Sequence, residues 1–174
     1  MDTGDMISRV ALPITDEDNA GTMFDKLSLA GAELLKKTLP ELIAGRVQAV
    51  PQDEALATYS PNLKREDERI DWSRTSRELF NQVRGLVPYS GAYTMWSDEV
   101  FKVWAMQAPE SSQDKSVPVD AKPGTVIAMN EAGIVIKTGD GTVTLTEVQP
   151  AGKKAMPVQD FARGGKMTPG TVLL

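Results

Sequence analysis

Hydrophobic positions follow two rhythms along this 174-residue chain, a helical one in its first part and an alternating one after residue 88. From Asp5 to Ile14 the pattern puts Met6, Ser8, Val10 and Leu12 on one face and Ile7, Arg9 and Ala11 on the other. This predicts a strand buried on at least one side, with Pro13 near its end. The polar run 15–22 follows, in which Asp16, Glu17 and Asp18 suit the positive end of a coming helix and Thr22 is a candidate N-cap. Met23, Leu27, Ala30, Leu34, Leu35, Leu39, Leu42 and Ile43 then recur at helical spacing. Pro40 is expected to kink or end that helix near Leu39, and Gly45 is a natural stop.

Residues 46–62 lose both rhythms and contain Pro51 and Pro61, the mark of a linker. Lys64 to Arg69 is a charged stretch suited to one helical turn, and Ile70 and Trp72 straddle Asp71. Thr75 and Glu78 have capping-box spacing, and Leu79, Phe80 and Val83 share a helix face that ends at Gly85. Beyond Pro88, strands are predicted over Ala92–Trp96 and Val100–Met106, joined by Ser97-Asp98-Glu99. A polar excursion over 107–122 precedes strands at Thr125–Met129, Ile134–Thr138 and Val143–Val148, with turns at Asn130–Gly133 and Gly139-Asp140-Gly141. Pro157–Arg163 reads as a short helix stopped by Gly164 and Gly165, and Thr171–Leu174 as a segment that closes the sheet. Short strands with small helices predict a Greek-key or OB-like barrel. The chain shows no internal repeat.

Composition removes most catalytic chemistry. There is no cysteine and no histidine, so disulfides, thiolate nucleophiles, imidazole bases and nitrogen or sulfur metal sites cannot form within the chain. Acid or base work falls to carboxylates, Lys, Tyr or a partner chain. The net charge is −5, yet residues 150–174 carry four basic side chains against one acidic. A role on nucleic acid would therefore rest on a local patch. No apolar run reaches the roughly 18 residues of a membrane span, and the start of the chain lacks a basic region followed by an apolar core, so a cytoplasmic protein is expected.

Four motifs bear on function. Asp2-Thr3-Gly4-Asp5 carries the Asp-Thr-Gly of aspartic proteases, but only Met1 precedes it and a second copy would have to supply the other Asp. A turn is the commoner use of such residues. Gly152-Lys153-Lys154 resembles part of a phosphate loop, but Glu147 and Lys154 occupy positions where that loop needs Gly and Ser or Thr. Lys153, Lys154, Arg163 and Lys166 remain as a candidate basic patch for phosphates, against the commoner reading of solvated surface side chains. Trp72, Trp96, Trp104, Tyr89 and Tyr93 would stack bases if they shared an exposed sheet face, and would otherwise pack a core. Asp71 suits a local capping role.

Several stretches taken together resemble the C-terminal portion of the methionyl-tRNA formyltransferase family over the whole chain. They are Met1 to Ile7, Gly21-Thr22 with Asp25-Lys26-Leu27, Ile70-Asp71-Trp72-Ser73, Val83-Arg84-Gly85-Leu86, Pro88 with Gly91-Ala92, and Gln149 to Met156. Where relatives commonly carry Asn-Pro-Trp/Tyr-Pro-Gly, this chain reads Val87-Pro88-Tyr89-Ser90-Gly91. The resemblance implies an α/β remnant of a Rossmann-like catalytic domain over residues 1–50, a linker over 51–67 and a mainly β, OB-like open barrel over 68–174. It implies formyl transfer from 10-formyltetrahydrofolate to methionyl-initiator tRNA, no metal, no membrane partner, and a monomer when intact. Of the family's catalytic Asn, His and Asp, only the Asp falls on this chain, at Asp2, with Gly4 beside the folate. Lys153, Lys154, Arg163 and Lys166 become candidate tRNA contacts. A chain with this half of the site alone is expected to be inactive. The alternatives are a stand-alone tRNA-binding barrel, or a related formyltransferase or formyl-folate hydrolase.

Overall fold

A computed structural model of the chain describes residues 4–109 and 120–174. The backbone divides into two compact units, 1–62 and 63–174.

Helix α1 (Ala20–Ile43) dominates the first unit. Its cap is Asn19 rather than the expected Thr22: the Asn19 side chain accepts the Thr22 N–H at 2.9 Å, and the Thr22 hydroxyl accepts the Asn19 N–H at 3.0 Å. Asn19 takes the cap because its backbone is still extended while Thr22 is already helical. The helix runs through Pro40 instead of ending at Leu39. Pro40 lies in the last turn, so its missing N–H costs one helical bond close to where the ladder stops anyway. The end is then sealed by Gly45 N–H to Leu42 O at 3.1 Å and Arg46 N–H to Glu41 O at 2.9 Å. Gly45 has φ +67°, the left-handed turn that this closure requires.

The strand expected over Asp5–Ile14 does not form. Met6 exchanges two backbone hydrogen bonds with Val50, at 2.8 and 2.9 Å, and the rest of the segment is extended and largely exposed. Alternation marks a backbone suited to a sheet, but burial needs neighbouring strands, and among the described residues only Val50 pairs with it. The apolar stripe of α1 is likewise uncovered: no residue of the helix is buried, and Leu29 and Ile43 are 73% and 79% exposed. Residues 46–62 hold one 3-10 turn, Glu54–Leu56, and are otherwise irregular.

The second unit opens with a 3-10 turn at Arg65–Glu68 and helix α2 (Ser76–Leu86). Six strands follow: β1 (Ala92–Trp96), β2 (Glu99–Met106), β3 (Val126–Asn130), β4 (Gly133–Lys137), β5 (Thr142–Gln149) and β6 (Met156–Pro157). Helix α3 (Val158–Ala162) comes last. The strands are paired antiparallel in the order β1-β2-β5-β4-β3, with β6 added beside β5. The β1–β2 turn is tighter than the three residues expected. Ser97 and Asp98 both have positive φ, 52° and 63°, which lets a two-residue turn match the strand twist and leaves Glu99 paired with Trp96.

Among the described residues no full strand closes the sheet. Instead the C-terminal segment bonds to both outer strands: Leu174 exchanges backbone bonds with Met95 of β1, and Thr171 accepts from Val126 of β3. Both open edges are thereby partly covered. The core gathers Leu79, Phe80, Val83 and Leu86 from α2 with Phe101, Val103, Ile134, Ile136, Leu145 and Val148 from the sheet. Ile70 and Trp72, the pair flanking Asp71, are part of it, while Asp71 itself is exposed.

Candidate functional site

Asp2 lies outside the described residues. Gly4 sits in an exposed bend whose carbonyl accepts from Gln52 Nε2 at 2.6 Å. Asp18 is the one buried carboxylate of the first unit among the described residues, only 4% exposed. It accepts from Lys26 Nζ at 2.6 Å, the Thr15 N–H at 2.9 Å and the Thr22 hydroxyl at 3.0 Å. The Lys26 ammonium, helped by those hydrogen bonds, holds this carboxyl far below the usual carboxylate range. Such a group anchors the start of a helix and stays ionised, so it has no proton to give at neutral pH. Among the described residues no cluster of three or more acidic side chains could hold a metal ion.

The four candidate tRNA contacts fall into two pairs. Lys153 and Lys154 lie in the exposed loop between β5 and β6. Arg163 and Lys166 follow α3, and the Arg163 guanidinium is held by Asp160 at 2.7 Å. The lysine loop is built, not loose: Lys153 N–H donates to Pro150 O at 3.1 Å, and its carbonyl accepts from Gln149 Nε2 at 2.8 Å.

The aromatic residues separate by role. Trp72 is buried, its Nε1–H donating to Thr94 Oγ1 at 3.0 Å, and that hydroxyl donates to Leu174 O at 2.9 Å. Trp96 packs edge-on against Phe101 and Phe161, each at 5.6 Å between centroids. Tyr93 lies beneath the Arg65 guanidinium, 4.1 Å from its ring centre. Tyr89 is the most exposed of the five, at 67%. Asp71 is a local cap: one oxygen accepts the Ser73 hydroxyl at 2.6 Å and the Ser73 N–H at 3.0 Å, and these bonds lower its pKa.

A second polar knot joins α2 to the β4–β5 turn. Asp140 accepts the Ser76 N–H at 2.7 Å and the Ser76 hydroxyl at 2.9 Å, while Ser76 and Thr138 hydroxyls meet at 2.8 Å. Burial alone would push Asp140 upward, but the bonds from Ser76 and Thr138 outweigh it and the pKa falls. This knot satisfies a first-turn N–H of α2 and fixes the helix on the sheet.

Residues 62–166 match the family described as formyl transferase, C-terminal domain. The chain belongs to this family. The formyl transferase relatives include the methionyl-tRNA formyltransferase of Bacillus subtilis, 50% identical over 99% of this chain and 53% of its own length. That of Halalkalibacterium halodurans is 45% identical over 99% of this chain and 54% of its own. The chain thus spans about half the length of the curated relatives it matches. Among solved structures, HypX from Aquifex aeolicus crystallised with tetrahydrofolic acid superposes on 92% of this chain and 27% of its own at a TM-score of 0.63 and 19% identity. The sugar 3N-formyl transferase WlaRD superposes on 88% and 52%, at a TM-score of 0.61 and 18% identity. At those identities the likeness shows a shared fold. As in the formyl transferase family generally, the fold does not disclose the substrate.

No helix among the described residues is long and apolar enough to cross a membrane. Sequence reasoning passed over Lys102, Gln149 and the setting of Trp104. Lys102 and Trp104 alternate with Phe101 and Val103 and look like the solvent side of an ordinary strand, and nothing in that alternation reveals what they touch.

Proposed function

We propose that this chain is the C-terminal portion of a methionyl-tRNA formyltransferase, which moves a formyl group from 10-formyltetrahydrofolate to the α-amine of methionine on initiator tRNA. The observation that carries this reading is 50% identity to the Bacillus subtilis enzyme over 99% of the chain. On this reading residues 1–50 are a remnant of the Rossmann-like catalytic domain, 51–67 the linker and 68–174 an OB-like open barrel that holds the tRNA. The intact enzyme is a cytoplasmic monomer.

The reaction needs the methionine nitrogen to attack the formyl carbon. A carbon–nitrogen bond forms, the bond from that carbon to the folate N10 breaks, the amine loses a proton and N10 gains one. The formyl oxygen carries the developing negative charge in between. On this reading Asp2 is the group of this chain that serves that chemistry, a carboxylate that keeps a neighbouring base protonated or receives the amine proton. Gly4 lets the backbone pass close to the folate. This chain has no histidine of its own, so Asp2 works with groups supplied from outside it.

The test joins the chain to the N-terminal half of the Bacillus subtilis relative and measures formylation of methionyl-tRNA. The fusion is expected to turn over and the chain alone to be silent. Asp2→Asn in the fusion should cost about 100-fold or more in kcat, the scale of losing a group engaged in proton transfer. A fusion that folds and binds folate but formylates only a nucleotide sugar would overturn the tRNA assignment.

A further inference from the structure

Two loops that are far apart in sequence meet beside the β2–β5 pair. The first, residues 87–91, precedes β1 and folds onto one acceptor: the N–H groups of Tyr89, Ser90 and Gly91 all point to Leu86 O at 3.0, 3.0 and 3.3 Å. The second is the 150–155 loop that carries Lys153 and Lys154. Between them, Lys102 of β2 stands opposite Gln149 of β5.

Trp104 joins the two. The register gives Val103 opposite Val148 and Ala105 opposite Glu147, so Trp104 is the extra residue of a β-bulge. A bulge re-aims the side chain it carries. Here the indole lies against Gly91, where a Cβ would stand 3.2 Å from three ring atoms, so only glycine admits this approach without displacement. Its Nε1–H donates to Gln149 Oε1 at 2.8 Å, and Gln149 Nε2 donates onward to Lys153 O at 2.8 Å. Lys102 closes the other side, its Nζ donating to Ser90 O at 2.6 Å and lying 5.3 Å from the indole centre. One continuous set of contacts therefore runs from the Ser90 carbonyl through Lys102, Trp104 and Gln149 to the Lys153 carbonyl.

Such a clamp leaves its two ends exposed on a fixed frame. One end shows Tyr89, exposed on the 87–91 loop, and the other shows two adjacent exposed lysines in the only strongly basic segment of an acidic chain. An exposed aromatic ring on one braced loop and two ammonium groups on the other suit a polyanion that also offers flat bases or sugars. Tyr93 is less suited, because Arg65 already covers its ring.

We propose that the 87–91 and 150–155 loops form one RNA-contacting surface, with Tyr89 packing on a sugar or base, Lys153 and Lys154 meeting phosphates, and Trp104 and Gln149 as positioning residues that hold the loops in register. This rests on the tRNA reading above and assigns the surface through which the barrel unit takes that substrate. Arg163 and Lys166 lie outside the clamp.

The test is binding of deacylated tRNA to the full chain across a salt series, followed by anisotropy of labelled tRNA and by tryptophan emission. Binding should weaken steeply with salt, and Lys153→Ala with Lys154→Ala should flatten the slope by about two, near 0.9 per lost phosphate contact. Tyr89→Ala should weaken binding about tenfold at unchanged slope, the scale of one lost stacking contact, and Tyr89→Phe should restore it. Gln149→Leu keeps both lysines yet should move the slope toward that of the lysine variant; its thermal melt shows whether the fold survives. Trp72 is buried in the core and Trp96 is packed edge-on against Phe101 and Phe161, away from the clamp contacts, so tRNA-induced quenching should fall sharply in Trp104→Phe. If the lysine variant weakens while Tyr89→Ala and Gln149→Leu bind like the parent, the clamp proposal is overturned and the tRNA reading stands. If the parent chain binds no tRNA at low salt while the fusion still formylates methionyl-tRNA, the surface is overturned alone. If the fusion is also inactive toward tRNA, the functional reading falls with it.

Discussion

Helices α1 and α2 begin alike and end differently. Both open with a reciprocal capping box, Asn19 with Thr22 in α1 and Thr75 with Glu78 in α2, and both carry an apolar stripe. Yet α2 buries Leu79, Phe80, Val83 and Leu86 against the sheet, whereas α1 buries nothing. What holds α1 is polar and mostly local: its cap, the Asp18–Lys26 pair and the Gly45 closure, with one longer-range contact between the Ser8 and Thr38 hydroxyls at 2.8 Å. An amphipathic pattern is therefore a statement about what a helix can bury, and capping a statement about where it starts. Neither supplies the partner, and tertiary packing provides most helical stability.

The sharpest way to break this comparison is to truncate matching side chains. Phe80→Ala should destabilise the second unit by about 3–5 kcal/mol, since a buried ring is replaced by a cavity. Leu29→Ala in α1 should shift stability by no more than about 0.5 kcal/mol, because the side chain is already in water. Urea unfolding followed by circular dichroism measures both, and a large loss for Leu29→Ala would mean that α1 is covered in solution.

The polar anchors come next in size. Asp140→Ala removes the acceptor for Ser76 at the first turn of α2 and should cost about 1–2 kcal/mol in a cooperative melt of the second unit. Asn19→Ala should cost about 1 kcal/mol, seen as fraying of α1 rather than as a shift of that melt. If both changes moved one common transition, the two units would unfold as one.

Acid should weaken both carboxylate anchors, because Asp18 and Asp140 each lie below their ordinary value. Asp18 lies far below its ordinary value of 3.8 because Lys26 and the Thr15 and Thr22 bonds favour its charged form. A lowered folded-state pKa lends stability that is fully present above the unfolded value and is lost as pH falls through the folded one. Helical signal from α1 should therefore start to weaken as pH falls below about 3.8 and go on falling into stronger acid, while Asp18→Asn should remove that dependence. A similarly small effect belongs to Arg46→Ala, which deletes an exposed pair with Glu41 and should leave the melt almost unmoved.

Much of this was legible beforehand where the signal is local. The Thr75–Glu78 box, the place of the hairpin turn after Trp96 though not its two-residue length, the Gly139-Asp140-Gly141 turn and the strands of the second unit follow from alternation and turn chemistry, and α3 from its glycine stop. The displaced cap at Asn19 and the passage through Pro40 were missed by a few residues, because neighbouring polar side chains compete for the same N–H and a proline in a last turn forfeits little. The strand expected at Asp5–Ile14 failed for a different reason. Alternation there is real, but it reports suitability for a sheet that the described residues do not supply. At the candidate site, Lys153 and Lys154 were legible as charge, while Tyr89 was grouped with ring residues that turn out to be packed.

By itself, the sequence determined the absence of imidazole and thiol chemistry, the period of each segment, the capping of α2 and the stretches that mark the formyl transferase family. Those properties depend on residue identity and near neighbours. Only the tertiary structure decided which apolar stripes are buried, that Asp140 completes the start of α2 across 64 residues, and that the Trp104 bulge brings the Gly91 turn and the lysine loop together. Those depend on strand register, and a one-residue shift in pairing redirects every side chain it carries.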